Sequence, residues 1–160
     1  MQLVYKVLVS CLPDVHVHKL LNLVRLCFPN KIHLSIGDLR LFNYAIVSQQ
    51  EGNFVGVIFV KETPQNLHEL QHFCVLPRFR NNSLGSELIR CCQSELQKNC
   101  MIGVKIDPDQ CIVEYDPKIK TELTERLVSL FQRHAFVVSE REENKPTSVY
   151  LEWHRTELSI

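Results

Sequence analysis

At 160 residues the chain can bury one substantial core but not two, so a single domain spanning residues 1–160 with one principal site is expected. Eighteen basic residues balance eighteen acidic ones, which excludes a chain-wide field for nucleic acid or an anionic membrane; neither is expected as a partner, and any polyanion must meet a local device. Seven cysteines without a CxxC or regular spacing argue against a disulfide framework and for thiols in a reducing compartment, cytosol or nucleus.

The opening stretch MQLVYKVLVSCL is too short an apolar run to span a membrane, lacks a signal-like cleavage region, and reads as a first strand over residues 2–11. From Asp14 onward, Val17, Leu20, Leu21, Val24, Cys27 and Phe28 recur at spacings of three and four, predicting an amphipathic helix that ends before Pro29. His16 and His18 within it read as surface residues. Residues 40–49 and 53–61 are rich in β-branched and aromatic side chains, and Glu51-Gly52-Asn53 between them predicts a hairpin turn. After Gly85 a second helix is expected from Ser86 to Lys98, with Leu88, Ile89, Cys92 and Leu96 on one face and Cys91-Cys92 at its core edge. Residues 101–106 read as a strand. Asp116-Pro117 supplies a capping carboxylate and a first-turn proline, and Leu123, Leu127, Leu130 and Phe131 carry the apolar face of that helix to about residue 134. Phe136–Ser139 and Ser148–His154 complete the chain as strands. For residues 107–115 two readings stand: CIVEY as an extra strand, or as the continuation of the preceding one.

Residues 68–72 spell His68-Glu69-Leu70-Gln71-His72, a literal H-E-x-x-H. On a helix the two histidines share a face and can hold zinc, with Glu69 activating the bound water. On a strand they stand roughly 13 Å apart and Glu69 points the other way. Leu67, Leu70, Phe73 and Cys74 suit a helix as well as Phe73 and Val75 suit a strand, so the local pattern leaves both open. A zinc site would also need a remote third ligand such as Glu95, since residues 73–85 hold no further His, Asp or Glu.

Val75-x-Pro77-x-x-Arg80-Asn81-Asn82-Ser83-Leu84-Gly85, followed by a helix, resembles the signature of the GNAT superfamily of N-acetyltransferases, V-x-P at the end of strand four and then an [QR]-x-x-G-x-[GA] loop. Phe54-Val55-Gly56-Val57-Ile58 resembles that family's third strand, and Leu130-Phe131-Gln132-Arg133-His134-Ala135-Phe136 its L-Y-x-x-x-G-F. The resemblance covers nearly the whole chain in the right order. It implies a strand at 68–76 and an α/β (α+β) domain of order β-α-β-β-β-α-β-α-β-β. The sheet would be mixed, mostly antiparallel, splayed between strands four and five and flanked by helices.

The resemblance also implies acetyl-coenzyme A as co-substrate and acetyl transfer to a primary amine by direct attack. Glu69 would be the base, with His72 or His68 in reserve. Phe73, Val75 and Leu76 would offer main-chain groups to the pantetheine arm, and Arg80, Asn81, Asn82, Ser83, Leu84, Gly85 and Ser86 would cradle the diphosphate, with Arg78 adding charge. A strand period of two places His68 and His72 on the face opposite Glu69. Two positions depart from the family. Ser83 stands where glycine usually allows a positive φ, and Phe131 stands where a tyrosine often serves the departing thiolate; Tyr115 could substitute if residues 107–115 fold over the cleft. Two function classes follow: an active N-acetyltransferase, or a degenerate domain kept for protein binding. Neither the acceptor (protein amine, polyamine or small metabolite) nor the oligomeric state is readable.

Overall fold

The computed structural model describes residues 2–31, 33–80, 83–97, 99–107, 116–139 and 148–155. In chain order they form β1 (Gln2–Leu8), α1 (Asp14–Cys27), α2 (Ile36–Leu39), β2 (Tyr44–Gln50), β3 (Asn53–Glu62) and β4 (Leu67–Val75). Then come α3 (Leu84–Ser94), β5 (Met101–Ile106), α4 (Pro117–Gln132), β6 (Val137–Ser139) and β7 (Val149–His154). The strands make one seven-stranded sheet in the order β1-β2-β3-β4-β5-β7-β6. Every described pairing is antiparallel except β4 with β5, which is parallel. This is the expected mixed, mostly antiparallel architecture. CIVEY lies outside the described residues.

Local chemistry accounts for most boundaries. Glu51 and Gly52 take φ of 52° and 80°, the left-handed pair whose twist matches the flanking strands of a tight hairpin. In α1 all six apolar positions at three-and-four spacing are buried through Phe28. Asp116 accepts a hydrogen bond from the Lys118 amide at 2.9 Å and Pro117 opens α4, an N-cap followed by a residue that needs no amide partner.

Three boundaries differ from expectation. The first strand ends at Leu8, because Val9–Cys11 close into a 3-10 turn. The strand expected from residue 40 starts at Tyr44, because Ser35 and Asp38 cap one another's backbone and start the short α2. Arg40 then donates to the carbonyls of Val9 and Leu12 and pairs with Asp14, tying this turn to the start of α1. The helix expected at Ser86–Lys98 occupies Leu84–Ser94 instead.

The sheet carries a core on each face. On one side α3 contributes Leu88, Ile89, Cys92 and the flanking Leu96, packed with Ile46, Ile58, Val104 and Phe131. On the other, α1 packs with Ala45, Val47, Val57 and Phe59. Of the apolar face expected on α4, only Phe131 is buried; Leu123, Leu127 and Leu130 are half-buried and line a cavity.

Candidate active site

The H-E-x-x-H segment is a strand: β4 runs from Leu67 to Val75. Its parallel pairing with β5 covers Leu67–Leu70 against Met101–Val104 and then stops. Beyond that point β4 continues to Val75 and β5 to Ile106 with no pairing between them, so the sheet parts at its middle. On the other edge, Phe59 pairs with Gln71 and Val57 with Cys74. His72 and Phe73 therefore face the single residue Ile58, and His72 takes φ of 53°. This is a β-bulge, which resets the alternation of side chains.

The bulge corrects the expected faces. His68 bonds through Nδ1 to the Tyr44 hydroxyl at 2.7 Å, on the α3 side. His72 packs edge-on against Phe42 and Phe59, on the α1 side. His72 therefore shares a cavity of about 610 Å³ with Glu69, and His68 does not. The two histidines lie on opposite faces and cannot act as a pair.

Lys31 Nζ lies 2.9 Å from His72 Nδ1. An ammonium only donates, so Nδ1 accepts and Nε2 carries the proton. Burial, followed by the Lys31 charge, pushes the His72 pKa down to about 4. A neutral imidazole with its lone pair already engaged is a hydrogen-bond donor rather than a base.

Glu69 is half-buried, paired across the sheet with Lys61 and Gly103. A Cβ on Gly103 would come within 2.1 Å of the Tyr150 hydroxyl and 2.9 Å of its ring. Tyr150 of β7 therefore lies flat across β5 and brings its hydroxyl beside the backbone position that faces Glu69. Both residues, with Lys105 and Asp107, line the 610 Å³ cavity, closed on the far side by residues of the α1–α2 connection. Sequence reasoning missed Tyr150 and this connection. A glycine inside the strand MIGVKI was the available signal, since it marks close approach of another group.

A larger cavity of about 1120 Å³ opens between β4, the start of α3 and the inner face of α4. Phe73 and Val75 form its β4 wall, and Ser83, Leu84, Gly85 and Ser86 its far end. Ser83 takes φ of 65°, so serine adopts the left-handed turn that glycine usually supplies, at a cost of about 1–2 kcal/mol. The first helical bond of α3 runs from the Glu87 amide to the Ser83 carbonyl. The Leu84, Gly85 and Ser86 amides thus precede the first available helical acceptor, at the positive end of the helix dipole. A Cβ at Gly85 would sit 3.2 Å from the Phe73 ring, so glycine lets the helix start press on β4. Arg126 and Arg133 of α4 also line the cavity.

The remaining expected residues divide. Arg80 lines the cavity, and its Nε donates to the Val75 carbonyl at 2.8 Å, clipping the loop to the strand end. Leu76 lines neither cavity, and its amide is taken by the Val55 carbonyl at 2.9 Å. Phe131 is fully buried, edge-on to Phe73 and Phe136. Asn81, Asn82 and Tyr115 lie outside the described residues.

A mixed sheet that parts between its parallel strands, with a left-handed turn leading into a helix at the opening, is the fold of acyl-coenzyme A N-acyltransferases. The chain superposes on an acyl-CoA N-acyltransferase from Pseudomonas aeruginosa with a TM-score of 0.68 at 13% identity, covering 95% of this chain and 99% of that one. It superposes on an aminoglycoside 6'-N-acetyltransferase complexed with coenzyme A with a TM-score of 0.68 at 16% identity, covering 92% and 95%. For the ribosomal-protein-S18-alanine N-acetyltransferase from Escherichia coli the TM-score is 0.65 at 11% identity, covering 98% and 95%. At these identities the likeness establishes the fold. Curated protein sequences offer no match. In sequence, residues 5–110 match the profile of the acetyltransferase (GNAT) family. The chain belongs to the acetyltransferase (GNAT) family.

Proposed function

We propose that the protein transfers the acetyl group of acetyl-coenzyme A to a primary amine by direct attack. One observation carries the reading: successive stretches of β4 line the two cavities, residues 69–72 the smaller and 73–75 the larger. A thioester lying along the larger one would end at the bulge, within reach of an amine in the smaller one.

The residues present fit coenzyme A. The amides of Leu84, Gly85 and Ser86 would receive diphosphate oxygens at the positive end of α3, and Leu123, Leu127 and Leu130 would cover the pantetheine arm. The Val75 carbonyl and Leu76 amide are already engaged, so main-chain bonds to the arm would come from the unpaired edge of residues 71–74. Glu69 would accept the ammonium proton, with the Tyr150 hydroxyl orienting the nitrogen, after which the free amine attacks the carbonyl. His72, neutral and donating through Nε2, would hold the acceptor rather than deprotonate it. Phe131 carries no proton for the departing sulfur. A thiol's ordinary pKa near ~8.5 lets it leave as thiolate near neutrality, which limits the cost of that loss. A reducing compartment, cytosol or nucleus, is part of the same proposal and rests on the irregular spacing of the seven cysteines.

Calorimetric titration with acetyl-coenzyme A tests the reading. Saturable heat, abolished by competing coenzyme A, is expected. No heat at millimolar ligand would leave the protein-binding alternative as the better account. A free-thiol assay against polyamines, peptides and arylalkylamines then identifies the acceptor.

A further inference from the structure

Two thiols that the proposed acetyl transfer does not use converge on the wall of the larger cavity. Cys27 ends α1 and Cys74 precedes the last residue of β4. Both are buried in the core on the α1 side, and both also line the cavity beside Arg80. Cys27 Sγ lies 3.6 Å from the Val75 carbonyl oxygen, to which Arg80 Nε also donates at 2.8 Å. Val75 directly follows Cys74, so the Cys27 thiol, which donates to the Val75 carbonyl, lies against the same strand end. The two thiols are the termini of separate elements, α1 and β4, brought together where the sheet parts.

Their surroundings differentiate the two. Arg80 faces both thiols from the loop after β4, and Lys31 acts on Cys74 from the turn after α1. Across the cavity α4 presents Glu122, Glu125, Arg126 and Arg133. The hydrogen bond from Cys74, and then the Arg80 charge, outweigh burial and hold the Cys27 thiol down to about 7. Burial pushes Cys74 well up. Cys27 is thus the more readily ionised of the two and Cys74 the less, as an attacking and a resolving cysteine require.

We propose that Cys27 and Cys74 form a redox-active dithiol, oxidised by low-molecular-weight disulfides to an intramolecular disulfide that distorts the wall of the larger cavity. The Cys27 thiolate attacks one sulfur of a disulfide RSSR, giving a mixed disulfide and RS⁻. Cys74 then loses its proton to solvent and attacks the Cys27 sulfur, expelling the second RS⁻. Two protein thiols are oxidised, and RSSR is reduced to two RSH once the thiolates take up protons. A disulfide holds its Cβ atoms about 3.8 Å apart, which would draw the end of α1 onto β4 and disturb the Val75 carbonyl that anchors Arg80. The loss of coenzyme A binding rests on the acetyltransferase reading; the thiol chemistry does not.

Reduced full-length protein is incubated with oxidised glutathione and mapped by peptide mass spectrometry. A Cys27–Cys74 linkage is expected in wild type. Cys74→Ser should trap glutathione on Cys27, and Cys27→Ser should form neither the linkage nor that adduct. In case a variant fails to fold, pulsed iodoacetamide labelling of native wild type should show Cys27 titrating with a midpoint of about 7. Glutathione found only on the exposed Cys11, or Cys27 unlabelled below strongly alkaline pH, would overturn the proposal. Calorimetry should find coenzyme A binding about tenfold weaker after oxidation and restored by dithiothreitol. Equal affinity in both forms would overturn the effect on the cavity wall, whereas no binding in either would remove the acetyltransferase reading and leave the thiol pair standing.

Discussion

Replacing Gly103 by alanine tests the packing that places Tyr150 beside Glu69. The new Cβ would stand 2.1 Å from the Tyr150 hydroxyl, 2.9 Å from Cζ and 3.1 Å from Leu67 Cδ1, where unstrained carbon contacts lie at about 3.5–4.0 Å. Tyr150 is only 6% exposed and cannot swing aside freely. Overpacking of this kind costs about 1–3 kcal/mol, or roughly 2–12 °C in melting temperature for a chain of this size. Tyr150→Leu removes the two closest contacts, so alanine at 103 should cost much less in that background, with a coupling of roughly 1–2 kcal/mol in the double-mutant cycle. Thermal and urea unfolding of the four proteins measure this. Acetyl transfer should fall in Gly103→Ala with coenzyme A affinity unchanged, because the displaced hydroxyl belongs to the smaller cavity. A melting temperature within about 1 °C of wild type, or the same loss in both backgrounds, would refute the reasoning.

If Glu69 is the base, as proposed, Glu69→Gln keeps its size and removes the accepting carboxylate, so turnover should drop by roughly 10²-fold or more with coenzyme A affinity unchanged in calorimetry. Ser83→Gly relieves the left-handed φ of 65° but gives the unfolded chain more freedom. It should therefore stabilise by a net ~0.5–1 kcal/mol and leave coenzyme A affinity close to wild type, which denaturant titration and calorimetry read separately. The depressed His72 pKa, about 4 in the folded protein against about 6.5 unfolded, fixes the sign of a pH effect. Between these values the unfolded chain binds a proton that the folded one refuses, so stability is full above about pH 6.5 and declines as pH falls towards 4. His68 and His134 are shifted in the same direction by burial, and His72→Gln should flatten only its own share of the urea-midpoint profile.

What was legible in the sequence is what acts over a few residues. The three-and-four spacing of α1, the left-handed Glu51-Gly52 turn and the Asp116 cap each work within one or two helical turns or a hairpin, and each element stands where expected. The V-x-P segment located the strand end at Val75 and the turn before α3, although the helix begins at Leu84 and so takes in Gly85 and Ser86. Ser83 shows the limit of a residue preference: serine disfavours a positive φ, yet packing of α3 against β4 holds it there.

Composition bounded only the size of what could be buried; the order of the periodic helices and strands, read with the V-x-P resemblance, carried the expectation of a mixed α/β sheet. Tertiary structure decided the rest of the site. The face of His72 depends on a bulge set by its partner strand, where one residue of β3 opposes two of β4, and nothing within HELQH specifies that register. The leucines of α4 proclaim an apolar face, but periodicity cannot say whether core or cavity covers it. Tyr150 reaches Gly103, and Cys27 reaches Cys74, only because sheet order brings β7 to β5 and the end of α1 to β4. Local patterns are fixed by backbone geometry within a turn or a pleat; which distant strands become neighbours, and in what register, is fixed only when the whole core closes.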